Sequence, residues 1–214
     1  MKSEKNEVAA VIREPLTGSN CYVLESEQKN VVIDPGSFDT AERLKEMGAD
    51  PEWVFLTHEH CDHMAGLSGI RSFFPNAKVL ATKACSCNLG NKRKNMSAIM
   101  GVYLYYRNGR EPAEKYPVID GGAADVVFDK NMVLDWRGLR FEFVCLPGHT
   151  EGSCGIMLNG KTFFSGDYLL PGEEVLTRFP GGDEESYRQE TLPYLDSLPK
   201  GIRVYPGHGD DFRT

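Results

Sequence analysis

Several features that would assign a chain to a particular class are scarce or missing in these 214 residues. Uncharged apolar runs are short, and one of the longest, residues 99–106, falls far below the length of a membrane span. The opening, MKSEKNEVAAVIREPL, has charges of both signs and lacks the apolar core of an export signal. We therefore expect a cytoplasmic protein with no membrane partner.

Positive charge is also limited, because 24 Lys and Arg against 31 Asp and Glu leave a formal net charge of −7. Such a chain binds phosphate backbones poorly, so we expect no nucleic-acid partner. The 6 Cys residues are scattered and, without an export signal, predict reduced thiols. A hydrophobic fraction of 41% excludes intrinsic disorder and, at this length, predicts one domain over residues 1–214.

Short β-rich runs alternate with helical patterns, which predicts an α/β or α+β layered domain. Residues 155–158 and 162–165 flank Asn159-Gly160, the strongest short signal for a hairpin. Helices are predicted over residues 64–74 and 184–198, the second with a break near Pro193. Residues 102–106 alternate Val, Tyr and Leu, so we predict a strand there whose tyrosines pack in the core, with the lining of a substrate pocket as the alternative.

The histidines have a common position in this pattern. Only 5 occur, and they follow predicted strands: His58, His60 and His63 follow a strand over residues 53–57, His149 follows one over 139–146, and His208 follows one over 203–205. Asp167 likewise follows the strand over residues 162–165. Loops at strand ends converge on one rim of a sheet, and imidazole with carboxylate suits Zn or Fe better than Mg or Ca. The candidate ligands number too many for one tetrahedral zinc and fit two ions: His58, His60, Asp62, His63, His149, Asp167 and His208.

Their local motifs identify a family resemblance. Thr57-His58-Glu59-His60-Cys61-Asp62-His63 resembles the H-x-H-x-D-H signature of the metallo-β-lactamase superfamily, and Pro-Gly-His at 147–149, Ser-Gly-Asp at 165–167 and Pro-Gly-His at 206–208 resemble its later metal motifs, in the same order. The helical zincin motif H-E-x-x-H is absent, because the fourth residue after His58 is Asp62. The resemblance implies a four-layer αββα sandwich with the metal site at one edge of two facing sheets.

The resemblance also implies a division of roles. His58, His60 and His149 would hold one ion, Asp62, His63 and His208 would hold the other, and Asp167 would bridge them. Asp62 and Asp167 would thereby be catalytic, since a hydroxide held between two divalent ions, with zinc favoured and Fe or Mn open, would be the nucleophile.

Among the branches of the superfamily, true β-lactamases resemble one another in having Cys or Ser at the position of Asp167, and flavodiiron proteins have Glu at that of His60. Glyoxalase-II-like thioesterases match better. Because this sequence stops six residues after His208, we expect the helical domain of those proteins to be missing, and residues 168–174 lack their Gly-Cys-Gly-Arg-like stretch. We therefore predict a metal-dependent hydrolase of a small ester, thioester or lactone. The alternatives are a mononuclear-iron oxidoreductase resembling persulfide dioxygenases, a phosphodiesterase, or a catalytically silent binding module.

Three further features carry alternatives. Tyr168 is either a catalytic group that orients substrate or donates a proton, or a side chain packed beneath the site. Glu59 either supports a ligand histidine or, as we expect, is exposed to solvent, and Cys61 is expected to be a filler. Residues 92–115 carry net positive charge, which fits either a lid that recruits an anionic small-molecule substrate or a solvated insertion: Lys92, Arg93, Lys94, Arg107, Arg110 and Lys115 against Glu111 and Glu114.

Overall fold

The computed structural model describes residues 7–109 and 115–214, where two six-stranded sheets are joined by short helices. The strands are β1 Val8–Arg13, β2 Asn20–Ser26, β3 Lys29–Ile33, β4 Pro51–Phe55, β5 Lys78–Thr82, β6 Val126–Phe128, β7 Asn131–Trp136, β8 Leu139–Cys145, β9 Cys154–Leu158, β10 Thr162–Gly166, β11 Arg203–Pro206 and β12 Phe212–Arg213. The helices are α1 Thr40–Glu46, α2 Cys61–Met64, α3 Leu67–Phe73, α4 Lys83–Asn88, α5 Met100–Asn108, α6 Glu184–Ser186 and α7 Leu192–Asp196, with a π-helical turn over Tyr187–Thr191.

Both sheets are mixed, and each contains the hairpins that its turns predict. The first has the order β1-β2-β3-β4-β5-β6, antiparallel up to β3 and parallel from β3 to β6. The second has the order β12-β11-β10-β9-β8-β7, with β10 and β11 as its parallel pair. The predicted hairpin of β9 and β10 is confirmed, since Leu158 pairs with Thr162 across residues 159–161, where Asn159 and Gly160 both have positive φ.

Three apolar clusters separate four layers. The middle one lies between the sheets and is rich in aromatic rings, with Phe55 of β4 packed edge-on against Phe141 and Phe143 of β8. A second joins the first sheet to the helices before β6, and a third joins the second sheet to α7. Burial on both faces explains why the central strands are almost continuously apolar. The predicted αββα sandwich is confirmed.

The helices depart from prediction in detail. The helix predicted over residues 64–74 is not continuous, because α2 ends at Met64 and α3 begins at Leu67. Gly66 lies between them, and the backbone of Ser37 approaches it so closely that a Cβ there would lie 2.6 Å from the Ser37 carbonyl oxygen. The predicted break near Pro193 is present, since the π-helical turn ends as α7 begins, where a proline needs no hydrogen-bond partner.

Residues 102–106 belong to helix α5, so the predicted strand is wrong. Met100 and Leu104, one helical turn apart, are buried against the first sheet, whereas Tyr105 is exposed and Tyr106 is 80% exposed. The expectation of core tyrosines fails for these two residues, and Tyr103 is half-buried. An apolar run this short fits both the two-residue period of a strand and the 3.6-residue period of a helix, and contacts with the sheet decide which structure forms.

None of the helices in the two described ranges has the length and apolar character needed to cross a lipid bilayer.

Candidate metal centre

The seven predicted ligands meet at one edge of the sandwich, where strands of both sheets end. His58 and His60 follow β4, and Asp62 and His63 lie on α2. The other three follow strands of the second sheet: His149 after β8, Asp167 after β10 and His208 after β11. The rigid sheets thus hold loops that are distant in sequence at a common rim.

Their donor atoms form two groups that match the predicted division. His58, His60, His149 and Asp167 offer ligand atoms that all lie within 4.8 Å of one another, and so do Asp62, His63 and His208. Asp167 lies between the groups, with Oδ2 3.4 Å from Nε2 of His149 and Oδ1 3.3 Å from Nε2 of His63. This is the position expected of a bridging carboxylate.

In two of the histidines, the hydrogen bond made by one ring nitrogen determines that the other nitrogen can bind a metal. Nδ1 of His149 is 2.8 Å from the carbonyl oxygen of Leu176, and Nδ1 of His58 is 3.0 Å from Oγ1 of Thr57, whose own proton goes to Asp34 at 2.6 Å. Each Nδ1 therefore carries a proton, and each Nε2 presents a lone pair to the centre. Nε2 of His58 is buried and has no hydrogen-bond partner among the residues that the structure describes. The donor set therefore fits divalent ions.

The charge states of two rings, His58 and His60, agree with this assignment. Burial, reinforced by neighbouring histidines, places the pKa values of His58 and His60 well below their usual range, so both rings are neutral and able to bind metal. Burial also opposes charge on His63, but Asp167 and Asp62 outweigh it and raise the pKa of that ring. The pKa of Asp167 is held well below its usual range, because His208 and His63 outweigh the cost of its burial.

Asp34 is a functional residue that the sequence interpretation missed. It follows β3 with φ of 52°, accepts hydrogen bonds from the amide and hydroxyl of Thr57, and lies 3.1 Å from Nδ1 of His63. One carboxylate thus orients His63 directly and His58 through Thr57. The signal that could have identified Asp34 is an acidic residue directly after an apolar strand, the same signal that identified Asp167.

Glu59 is fully buried, so the expectation that it is exposed to solvent is wrong. Its carboxylate accepts hydrogen bonds from Nδ2 of Asn88 at 2.9 Å and from Oγ1 of Thr150 at 2.8 Å. Since Thr150 follows His149, Glu59 ties two histidine-bearing loops together. Burial raises its pKa. Cys61, by contrast, packs in the helix-side core as expected of a filler.

Tyr168 lies beneath the centre rather than facing it. The residue is only 1% exposed. Its hydroxyl donates a hydrogen bond to the carbonyl oxygen of Leu146 at 2.6 Å and accepts one from the amide of His149 at 2.9 Å. Burial raises its pKa. The geometry therefore gives Tyr168 a positioning role in the His149 loop and does not support the predicted proton donor.

An open pocket lies over the centre. Its floor is formed by His60, Asp62, Asp167 and His208, and its walls by Met96, Met100, Tyr103, Arg107, Leu170, Glu173, Leu176 and Phe179. Within the basic segment, Lys94 pairs with Glu151 at 2.8 Å, Lys92 and Arg93 are exposed, and Arg107 reaches the pocket. Three charges of that segment, on Arg110, Glu111 and Glu114, lie outside the described residues.

Similarity to known proteins extends over nearly the whole chain. The family model described as the metallo-beta-lactamase superfamily matches residues 15–208. Hydroxyacylglutathione hydrolase GloC of Haemophilus influenzae is 29% identical, over 89% of this chain and 85% of its own length. The crystal structure of the BLEG-1 B3 metallo-beta-lactamase has a TM-score of 0.75 with 26% identity, covering 95% of this chain and 92% of its own. TTHA1623 in a di-iron-bound form has a TM-score of 0.74 with 25% identity, covering 95% and 93%.

Proposed function

This chain belongs to the metallo-beta-lactamase superfamily, and from that premise we propose that it is a hydrolase of small thioesters that works with two divalent metal ions, zinc in preference to iron or manganese. One observation carries the proposal. Asp167 contacts both histidine groups, so the donors form two adjacent sets that share a carboxylate. Similarity to TTHA1623, which was solved with two irons, supports the same number of ions.

The side chains of this protein have distinct tasks in that reaction. Bound divalent ions supply water activation at neutral pH and polarisation of a carbonyl. His58, His60 and His149 would hold one ion, Asp62, His63 and His208 would hold the other, and Asp167 would contribute to both sets. Asp34 keeps the Nδ1 protons of two rings pointing away from the centre, which preserves the lone pairs. No serine or cysteine nucleophile is required.

The choice of thioester among the predicted ester, thioester and lactone substrates rests on similarity to GloC, whose name denotes hydrolysis of a hydroxyacylglutathione. The pocket supports a small organic substrate, because it combines apolar walls with a polar floor. Because BLEG-1 is described as a B3 metallo-beta-lactamase, a β-lactam is included in the test.

The experiment is elemental analysis of protein purified without added metal, together with hydrolysis of a thioester, a lactone, a phosphodiester and a β-lactam. We expect two metal ions per chain and preferential thioester cleavage. Asp167→Ala should lose both ions and the activity. Glu174→Gln, which neutralises an exposed carboxylate, serves as the control and should retain both. One iron per chain with oxygen uptake on a persulfide would instead establish the dioxygenase alternative.

A further inference from the structure

Within the described residues, the wall of the pocket over the metal centre has two charged side chains, Arg107 and Glu173, and is otherwise apolar. The apolar part is formed by Met96, Met100, Tyr103, Leu170, Leu176 and Phe179. On α5, Met100, Tyr103 and Arg107 are spaced three and four residues apart, so they follow one another along a single face of the helix. A substrate with an apolar body that reaches the centre therefore passes the guanidinium of Arg107.

That guanidinium is held in place at one side only. Nη1 donates to the carbonyl oxygen of Thr17 at 2.8 Å and lies 3.5 Å from the hydroxyl of Tyr103. The edge formed by Nε and Nη2 donates to nothing within the described residues, and no ion pair joins Arg107 to Glu173 in that part of the chain. This edge is the planar fork that binds a carboxylate through two parallel hydrogen bonds.

The other basic residues before it do not compete for this role. Lys94 is engaged by Glu151, and Lys92 and Arg93 are exposed outside the pocket lining. The hydrogen bond to Thr17 already restricts the rotamers of Arg107, so less side-chain entropy is lost when a ligand binds. Arg107 is therefore suited to a specific, preorganised contact rather than to general attraction by a basic surface.

From these contacts we infer that Arg107 is a specificity-determining residue that selects substrates carrying a carboxylate beyond an apolar body. The inference rests on the proposed hydrolase and narrows its substrate class to thioesters of this anionic kind. A hydrogen-bonded contact with a charged group predicts about 10-fold or greater preference for the acid over an isosteric neutral compound, with about 100-fold as the upper limit.

The test is isothermal titration calorimetry of the metal-loaded protein with nonhydrolysable thioethers. Each probe pair is an ω-(benzylthio)alkanoate, in which a thioether joins a benzyl group to a carboxylate tail, and its primary amide; tails of increasing length are prepared, and the readout is the ratio of the two dissociation constants. The variants are Arg107→Gln and, as the matched control, Arg93→Gln, which makes the same change of charge at an exposed site outside the pocket.

We expect wild type and Arg93→Gln to favour the acid about 10-fold, and Arg107→Gln to bind acid and amide alike. Several results would overturn the inference: no preference in wild type, no binding of any probe, or loss of the preference in both variants, which would show a long-range field. Preference retained in Arg107→Gln would place the carboxylate on the metal ions instead. Binding of the thioethers is measured without any cleavage, so it tests the role of Arg107 independently of the proposed hydrolysis. If the protein hydrolyses thioesters but its binding shows no preference for the acid, only the inference about Arg107 is refuted.

Discussion

The hydroxyl of Tyr168 offers a test of whether this residue positions a ligand or takes part in the reaction. Tyr168→Phe removes one oxygen and leaves two buried groups without a partner, the amide of His149 and the carbonyl oxygen of Leu146. Each buried group left unsatisfied costs about 1–3 kcal/mol, so for the two groups we expect the free energy of unfolding to fall by about 2–6 kcal/mol.

Metal affinity should fall with stability, since the same hydroxyl holds the backbone of a predicted ligand. Loss of a supporting contact of this kind typically weakens metal binding by about 10- to 100-fold. Urea unfolding of the chelated protein measures the first effect, and competition with a chromogenic chelator measures the second.

Tyr187→Phe is the matched control. Its ring stacks on Tyr168 at 5.9 Å between centroids, and within the described ranges its hydroxyl makes no hydrogen bond, so both values should stay close to wild type. If Tyr168→Phe matched this control in stability and metal affinity but turned over substrate more slowly, the positioning argument would be refuted and the proton donor restored.

The remaining predictions concern residues that the structure adds to the site. Asp34→Asn should lower metal affinity by about 10- to 100-fold, because an amide nitrogen cannot accept from both Thr57 and His63; competition with a chelator measures this. Glu59→Ala should lower the free energy of unfolding by about 1–3 kcal/mol in urea, because one amide proton of Asn88 loses its acceptor, whereas Asn88 keeps its bond to Glu151 and Thr150 keeps its bond to Ser153. A value within about 0.5 kcal/mol of wild type, roughly the effect of a surface substitution, would contradict the role of Glu59 in joining the two loops. Gly36→Ala should prevent correct folding, because its Cβ would lie 1.9 Å from the carbonyl oxygen of Asp62, whereas Gly101→Ala, with open space in α5, should raise the free energy of unfolding by about 0.5–1 kcal/mol; circular dichroism melts compare the two.

The sequence supports prediction of the fold and the candidate ligands because both depend on strong local signals. Turn chemistry at Asn159-Gly160 fixes a hairpin, and histidines after apolar strands mark a shared rim. Glu59 could not be predicted in the same way, because its burial depends on Asn88 and Thr150, which adjoin it only after the two sheets pack.

The errors elsewhere have the same origin. Residues 102–106 are equally apolar in either period, so the choice of helix over strand is made by contacts of Met100 and Leu104 with the first sheet. Tyr168 is adjacent to Asp167 in sequence, yet its side chain points into the core of the other layer. Adjacency in sequence predicts neither which way a side chain points nor which partners it finds.

The placement of the ligands on both sheets has a consequence for the order of events during folding. His63 and His208 are 145 residues apart in sequence, and His60 and His149 are 89 apart. Contacts between such distant segments form slowly, because the entropy of closing a long loop is lost before the contact repays it. Each donor set is therefore complete only after both sheets have docked, and metal incorporation reports on the last stage of folding rather than the first.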